Sequence, residues 1–193
     1  EVCSNESLDA SDESTVSTGT VTWSTESGAD VSGAFAGSGT SVQDVLFNAG
    51  NEVDSVLYTF VVSDAFCPSD SLSFSVDVVP SFELTEVGPL AWCAGEEAAI
   101  SGYETNASGV TYTLSNTDES IGLLSGGEGL VPPWTATNTT DGSITSEVMV
   151  FANLSSCPEE SISVQVVVHP TPQLTSNVGP NGGLDCQTGT AVI

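Results

Sequence analysis

The cysteines of this chain recur with a fixed period. Cys3 and Cys67 lie 64 positions apart, as do Cys93 and Cys157, and the second pair follows the first by 90 positions. A fifth cysteine, Cys186, lies 93 positions after Cys93. A period of this size indicates an array of small domains of one design. Such arrays usually set length, reach and valency, so the period favours a structural protein over an enzyme.

Other landmarks keep the same register. Pro80 and Pro170 are 90 positions apart, and each follows a stretch of alternating apolar residues. The three extra residues of the second period lie between Pro170 and Cys186, in a connector where insertion is tolerated. We expect a fragment of a longer, repetitive polypeptide. The predicted units are a first repeat over residues 1–84, a second over 85–175, and the connector and first strand of a third over 176–193.

Apolar residues alternate with polar ones through much of the chain, which is typical of half-buried strands. In the predicted penultimate strands, Tyr58, Phe60 and Val62 face the core, with Val148, Val150 and Ala152 as their counterparts. In the last strands the inward residues are Leu72, Phe74, Val76 and Val78, then Ile162, Val164, Val166 and Val168. About seven short strands per repeat predict all-β, tandem immunoglobulin-like β-sandwiches.

The charge of the chain excludes some partners. The sequence has no Lys or Arg and 26 Asp plus Glu, giving a formal charge of −26, although only 13% of its residues are charged. Affinity for phosphate depends on Lys and Arg, so we predict no nucleic-acid binding, and an anionic membrane would repel the chain. The acids either provide solubility alone or require screening by salt or bound divalent cations.

Five cysteines with this spacing predict a disulfide framework outside the cytoplasm. Two pairings respect the period: Cys3–Cys67 with Cys93–Cys157, or Cys67–Cys93 with Cys157–Cys186. We expect the first, one bond per repeat, because the first strand should start at the same end of the sandwich as the loop before the last strand. No apolar run is long enough to span a bilayer, so we predict no direct membrane insertion.

Several short patterns together resemble a known family. They are the Gly-Thr-Val-Thr-Trp run at residues 19–23, Cys67-Pro68, and the alternating valines before Val79-Pro80. They resemble the PKD-like and immunoglobulin-like repeats of Bacteroidota surface proteins, including the gliding-motility adhesins exported by the type IX system. In the second repeat Tyr112 replaces the Trp, and residues 131–134 interrupt the middle strands. The resemblance implies an extended, repetitive cell-surface adhesin or filament without catalytic residues.

Calcium and sugars are the candidate ligands. Calcium binds several carboxylate and carbonyl oxygens, and we assign Asp64, Asp70 and Glu86 to it because they lie near predicted domain ends, where cations often stiffen tandem sandwiches. Trp134 follows two prolines and is the tryptophan that we expect to be exposed for stacking on sugars. Trp23 alternates with its strand and is expected in the core.

Ser55 and Ser71 are candidate glycosylation sites, because Asp54-Ser55-Val56 and Asp70-Ser71-Leu72 look like the O-glycan sites of Bacteroidota. His169, the single histidine, cannot be matched to a catalytic triad and is expected to pack in a connector. The acidic pairs at 96–97 and 159–160 are expected to be solvated surface rather than catalytic carboxylates.

Three functions remain open from the sequence. The first is a non-catalytic structural repeat of a long, acidic adhesin or filament at the cell surface, with a possible role in gliding motility. Its partners would be neighbouring repeats, surface polysaccharide or similar filaments. The second is a module that binds carbohydrate through Trp134. The third is a spacer in a secreted hydrolase whose catalytic domain lies elsewhere.

Overall fold

The computed structural model describes residues 1–11, 19–66 and 68–172. Cys67, Cys186 and the predicted third unit lie outside these described residues. Within them the chain is built of strands and one short 3₁₀ helix, Glu119–Ile121. The strands are β1 Val2–Cys3, β2 Glu6–Ser7, β3 Ala10–Ser11, β4 Thr20–Ser27, β5 Val31–Ser32, β6 Gly37–Ser38, β7 Ser41–Val42, β8 Val45–Asn48, β9 Asp54–Ser63, β10 Asp70–Val79, β11 Leu90–Cys93, β12 Glu97–Ala98, β13 Thr111–Asn116, β14 Trp134–Thr135, β15 Ile144–Asn153 and β16 Glu160–His169.

The strands form two sandwiches, which confirms the predicted fold class. In the first sandwich (residues 2–79) a sheet in the order β1-β10-β9-β4-β6 accompanies the short sheets β2-β8-β5 and β3-β7. In the second sandwich (residues 90–169) a sheet in the order β11-β16-β15-β13 accompanies the pair β12-β14. In each sandwich the first strand is parallel to the last, and the last two strands form a long antiparallel hairpin.

Each sandwich has its own hydrophobic core, and the connector residues Leu84 and Val87 pack against the second one. The predicted inward faces of β9, β15 and β16 are confirmed, since Tyr58, Val148 and Val164 are each 0% exposed. The prediction that Leu72 faces the core is wrong, because its side chain is 60% exposed. The first four residues of β10 are all exposed, so this part of the hairpin projects past the core.

The core aromatics come from different places in the two sandwiches. In the first they come from strands: Phe74 stacks on Tyr58 and on Phe60, with ring centroids 5.5 and 5.7 Å apart. Trp23, predicted in the core, is partly buried against it and lies 5.6 Å from Phe60. In the second, the buried Tyr103 lies between strands, outside any sheet.

The register of β13 differs from the one expected. Trp23 is paired with Phe60, whose counterpart Val150 in the second sandwich is paired with Leu114. Leu114 therefore occupies the position of the Trp. The expectation that Tyr112 replaces it was wrong by two residues along the strand.

Candidate functional site

A disulfide bond joins the two sandwiches. Cys3 of the first sandwich is bonded to Cys157 of the second, across 154 positions of sequence, with Cα atoms 5.7 Å apart. Cys93 is exposed and free. The expected pairs Cys3–Cys67 and Cys93–Cys157, one bond within each repeat, are therefore wrong. The alternative pairing was wrong as well, since it joined Cys157 to Cys186.

The direction of the first strand explains this correction. β1 runs parallel to β10, with Cys3 paired to Val79, so Cys3 lies where the last strand of its sandwich ends. We call this end the exit pole. The hairpin between β9 and β10 turns at the opposite end, the entry pole, about 30 Å away for strands of ten residues. A bond from Cys3 to that hairpin is therefore out of reach.

The second sandwich presents its entry pole to Cys3. Cys157 lies in the turn between β15 and β16, which is the hairpin equivalent to that of β9 and β10. Its loop shares this pole with residues 105–110, because Thr111 is paired with Asn153 at the end of β15. The disulfide thus joins the exit pole of one sandwich to the entry pole of the next.

Hydrogen bonds close the same junction. The Ser108 N–H donates to the Asn51 carbonyl oxygen at 2.6 Å, and the Asn106 side-chain amide donates to Asn51 Oδ1 at 2.9 Å. Close in sequence to the two bonded cysteines, the hydroxyls of Ser155 and Ser156 both donate to Glu1 Oε1, at 2.6 and 2.8 Å. Polar contacts in addition to a covalent bond restrict rotation about it.

Glu1 is held as an anion by these contacts. The hydrogen bond from Ser155, followed by the one from Ser156, lowers the pKa of the Glu1 carboxyl below its ordinary value. The carboxylate is fully exposed, so its contribution to the junction is screened by solvent and salt. The disulfide is consequently the main restraint.

The exit pole of the first sandwich is built around Asn48, which is 4% exposed. Its side-chain amide donates to the carbonyl oxygens of Val78 and Glu52, at 2.7 and 2.8 Å, and its Oδ1 accepts from the Gly50 N–H at 2.8 Å. These bonds tie the loop after β8 to the last strand beside Cys3. Sequence reasoning missed Asn48, although an Asn in both repeats at a spacing of 90 was a usable signal.

The predicted calcium ligands do not come together. Asp64 and Asp70 flank the entry-pole hairpin of the first sandwich, whereas Glu86 follows its exit pole. These three residues therefore do not form one site, and calcium binding at any of them stays a prediction. Within the described residues there is no cluster of three or more His, Cys, Asp or Glu side chains that could hold a metal ion.

Trp134 is buried, which corrects its assignment as an exposed sugar-binding residue. Its side chain is 8% exposed, and its indole N–H donates to the Ile121 carbonyl oxygen at 3.2 Å. Trp92 packs edge-on against it, with ring centroids 5.5 Å apart. At this exposure the indole has no open ring face on which a sugar could stack.

The remaining predicted residues lie at separate places. Ser71 is exposed and Ser55 is half-buried, and in each case the preceding Asp carboxylate accepts from the Ser backbone N–H, at 2.9 and 2.8 Å. Glycosylation of these serines stays a prediction. His169 is exposed at the exit pole of the second sandwich, where its Nδ1 lies 2.8 Å from Ser143 Oγ. No helix in the described part of the chain is long and apolar enough to cross a membrane.

A family model described as a PKD-like domain matches residues 1–82. No curated protein matches the chain. Among solved structures, human mucin-like protocadherin EC1-2 is 14% identical with a TM-score of 0.41, covering 89% of this chain and 94% of that chain. Drosophila N-cadherin EC1-4 is 13% identical with a TM-score of 0.42, covering 89% and 47%.

A surface polysaccharide-binding protein of Bacteroides thetaiotaomicron is 9% identical with a TM-score of 0.26, covering 94% of this chain and 34% of that one. The family match spans the first sandwich, and over these residues the chain is similar to PKD-like domains.

Proposed function

We propose that this chain is a non-catalytic, load-bearing piece of an extended adhesin or filament at the cell surface. The observation that carries the proposal is the Cys3–Cys157 bond, which joins consecutive sandwiches end to end. A protein whose task is to hold a ligand needs no such bond between domains. A protein that transmits force over a distance gains from one, because it keeps neighbouring domains in register.

The position of the bond has a mechanical consequence. When the chain is pulled from its two ends, the load passes from Cys3 directly to Cys157 through the disulfide. The 154 positions between them are shielded, and with them the whole first sandwich after Cys3. Both sandwiches stay tethered even if one of them opens. This shielding suits a stalk that holds a cell to a surface.

The proposed location follows from the same bond. Disulfides persist in oxidising surroundings, which favours a secreted or surface-exposed protein. The similarity to the repeats of Bacteroidota adhesins makes a role in attachment or gliding the specific proposal, with neighbouring repeats as the first partners. The alternative of carbohydrate binding depended on an exposed Trp134, and that side chain is buried.

Single-molecule pulling of the full chain from handles at its two ends tests the proposal. Under oxidising conditions the residues between Cys3 and Cys157 should release no length. Added reductant should release about 500 Å more, at roughly 3.3–3.6 Å for each of the 154 positions. Cys3→Ser should behave as the reduced chain does without any reductant. Equal extension with and without reductant would remove the mechanical basis of the proposal.

Antibody labelling of intact producing cells tests the location. We expect surface labelling that external protease removes, together with loss of attachment when the gene is deleted. Labelling only after the cells are permeabilised would contradict a surface role.

A further inference from the structure

The exit pole of the second sandwich is built like that of the first. β11 runs parallel to β16 with Cys93 paired to His169, as Cys3 is paired to Val79. The N–H of Cys93 donates to Glu96 Oε2 at 2.8 Å, and that of Cys3 donates to Glu6 Oε2 at 3.3 Å. The two cysteines therefore have the same place in the fold and the same local geometry.

The loops around the two cysteines also match. Asn138, 90 positions after Asn48, donates its side-chain amide to the carbonyl oxygens of Val168 and Gly142, both at 2.7 Å. Its Oδ1 accepts from the Thr140 N–H at 2.8 Å, as Asn48 Oδ1 accepts from Gly50. These bonds reproduce the arrangement that surrounds the occupied exit pole of the first sandwich.

The turns that follow Cys3 and Cys93 also have the same hydrogen bonds and backbone conformation. The N–H two residues after Cys93 donates to Ala136 O at 2.8 Å, and the N–H two residues after Cys3 donates to Leu46 O at 2.7 Å. The residues concerned, Gly95 and Asn5, have φ angles of 95° and 70°, in the left-handed region. Each turn thus keeps its cysteine at the edge of the pole.

The cysteines themselves differ in state: Cys3 is bonded to Cys157, whereas Cys93 is exposed and free. We infer that Cys93 forms the equivalent disulfide with a further sandwich of this design, through the cysteine of that sandwich's last hairpin. The exit pole of the second sandwich is then a docking surface for the entry pole of the next repeat. The occupied junction between the first two sandwiches supplies the partner's chemistry and geometry.

The chemistry requires an oxidant of the disulfide class, such as glutathione disulfide. The Cys93 thiolate attacks it, one glutathione leaves, and the partner thiolate then displaces the second glutathione. One sulfur–sulfur bond forms as another breaks. Two electrons pass to glutathione, and the two cysteine protons end on the two released glutathione thiols.

This inference extends the proposed function from one junction to a series. Cys93 lies between Cys3 and Cys157 in the chain, so the next disulfide loop would overlap the first in sequence. A chain of overlapping loops cannot be drawn out by unfolding one domain at a time, because each bond bridges a stretch that its neighbour also bridges.

A three-sandwich protein tests the inference. Residues 1–170 are followed by a second copy of residues 81–172, so that the natural connector joins the added sandwich. Two substitutions, Cys67→Ser and Cys93→Ser in the added copy, remove competing thiols. Cys157 of the added copy is then the one new partner for Cys93. Met149→Leu in the added copy, a volume-conserving change, marks its cysteine peptide by mass. The protein is refolded with glutathione disulfide, cleaved after Glu and analysed without reduction.

The expected result is a Cys93 peptide joined to Cys157 of the added copy in most molecules, together with the Cys3–Cys157 bond. A matched control, Cys93→Ala with Ala94→Cys, moves the thiol to the turn after β11, where the Ala94 side chain packs against the core, and should abolish the new bond. Cys93 left free, or joined to Cys157 of its own sandwich, would overturn the inference. A free Cys93 beside an intact Cys3–Cys157 bond would leave the proposed function standing, whereas loss of both bonds would overturn both.

Discussion

In the first sandwich the central strand β9 supplies Tyr58 and Phe60 to the core, whereas the equivalent strand β15 of the second supplies Val148 and Val150. The second sandwich recovers the missing volume with Tyr103, which lies between strands, and Trp134, from the two-residue strand β14. Four strands of the main sheet have the same order in both sandwiches, β1-β10-β9-β4 and β11-β16-β15-β13, and the first strand of each is parallel to the last. The repeat thus preserves the backbone plan and the ends, while the source of the core aromatics is free to change.

The largest expected effect tests whether these aromatics are equivalent. Trp134→Ala and Tyr58→Ala should each lower the free energy of unfolding of their own sandwich by about 3–5 kcal/mol, because each leaves a large cavity. Hydrogen exchange followed by mass spectrometry can assign the loss to one sandwich. A change within about 0.5 kcal/mol for Trp134→Ala would mean that the indole is exposed.

A second comparison tests whether the two exit poles are alike. Asn48→Ala removes two donated bonds and one accepted bond, and Asn138→Ala removes two donated and two accepted bonds, the extra one from the Thr140 hydroxyl. Each should cost about 1–3 kcal/mol, since carbonyl oxygens beside the last strand lose their donors. Thermal unfolding of both variants provides the measurement. A large loss for one and none for the other would show that the poles differ.

Smaller effects distinguish the two core tyrosines. Tyr103 Oη accepts from the buried Val131 N–H at 2.8 Å, whereas the Tyr58 hydroxyl donates to Asp44 Oδ2 at 2.8 Å. Tyr103→Phe leaves a buried donor unpaired and should cost about 1–3 kcal/mol. Tyr58→Phe leaves a half-buried carboxylate that water can reach, so it should cost about 1 kcal/mol. Denaturant titration of both variants gives the ranking. A larger loss for Tyr58→Phe than for Tyr103→Phe would show that water replaces the Tyr103 hydroxyl as the acceptor for the Val131 N–H.

The smallest effect depends on pH. Burial, and then the hydrogen bond to Asp44, raise the pKa of Tyr58, and burial raises the pKa of Tyr103. Both phenols stay neutral in the folded protein while unfolded tyrosines ionise near pH 10. Their contribution is complete below about pH 10 and falls as the pH rises further. The double variant Tyr58→Phe with Tyr103→Phe should lose less stability between pH 9 and 11, which a series of urea titrations can measure.

The sequence was sufficient for what depends on local pattern. Alternation identified β9, β15 and β16 and their inward faces, because burial on one side of a strand follows from a period of two. The prediction of an inward Leu72 was wrong because alternation continues where the hairpin extends past the core, and the pattern does not say where the opposite sheet ends. The prediction of an exposed Trp134 was wrong because the indole contacts Ile121 and Trp92, which only the tertiary fold brings together.

The predicted disulfide pairing was wrong for a related reason. A period of 90 is compatible with bonds inside repeats and with bonds between them, since the observed separation of 154 is one period longer than the expected 64. The choice depends on whether the first strand runs with or against the last. Cys3 lies at the exit pole because β1 is parallel to β10, and a two-residue strand carries too little pattern to reveal its direction.

Disulfide mapping of the intact chain tests the central claim most directly. Trypsin has no site in this sequence, but cleavage after Glu places each of the five cysteines on a separate peptide. Cleavage at acidic pH without reductant keeps disulfides from exchanging, because exchange needs the thiolate. We predict a peptide of residues 2–6 joined to one of residues 148–159, which carries the Cys3–Cys157 bond. Finding Cys3 joined to Cys67 and Cys93 joined to Cys157 would contradict it.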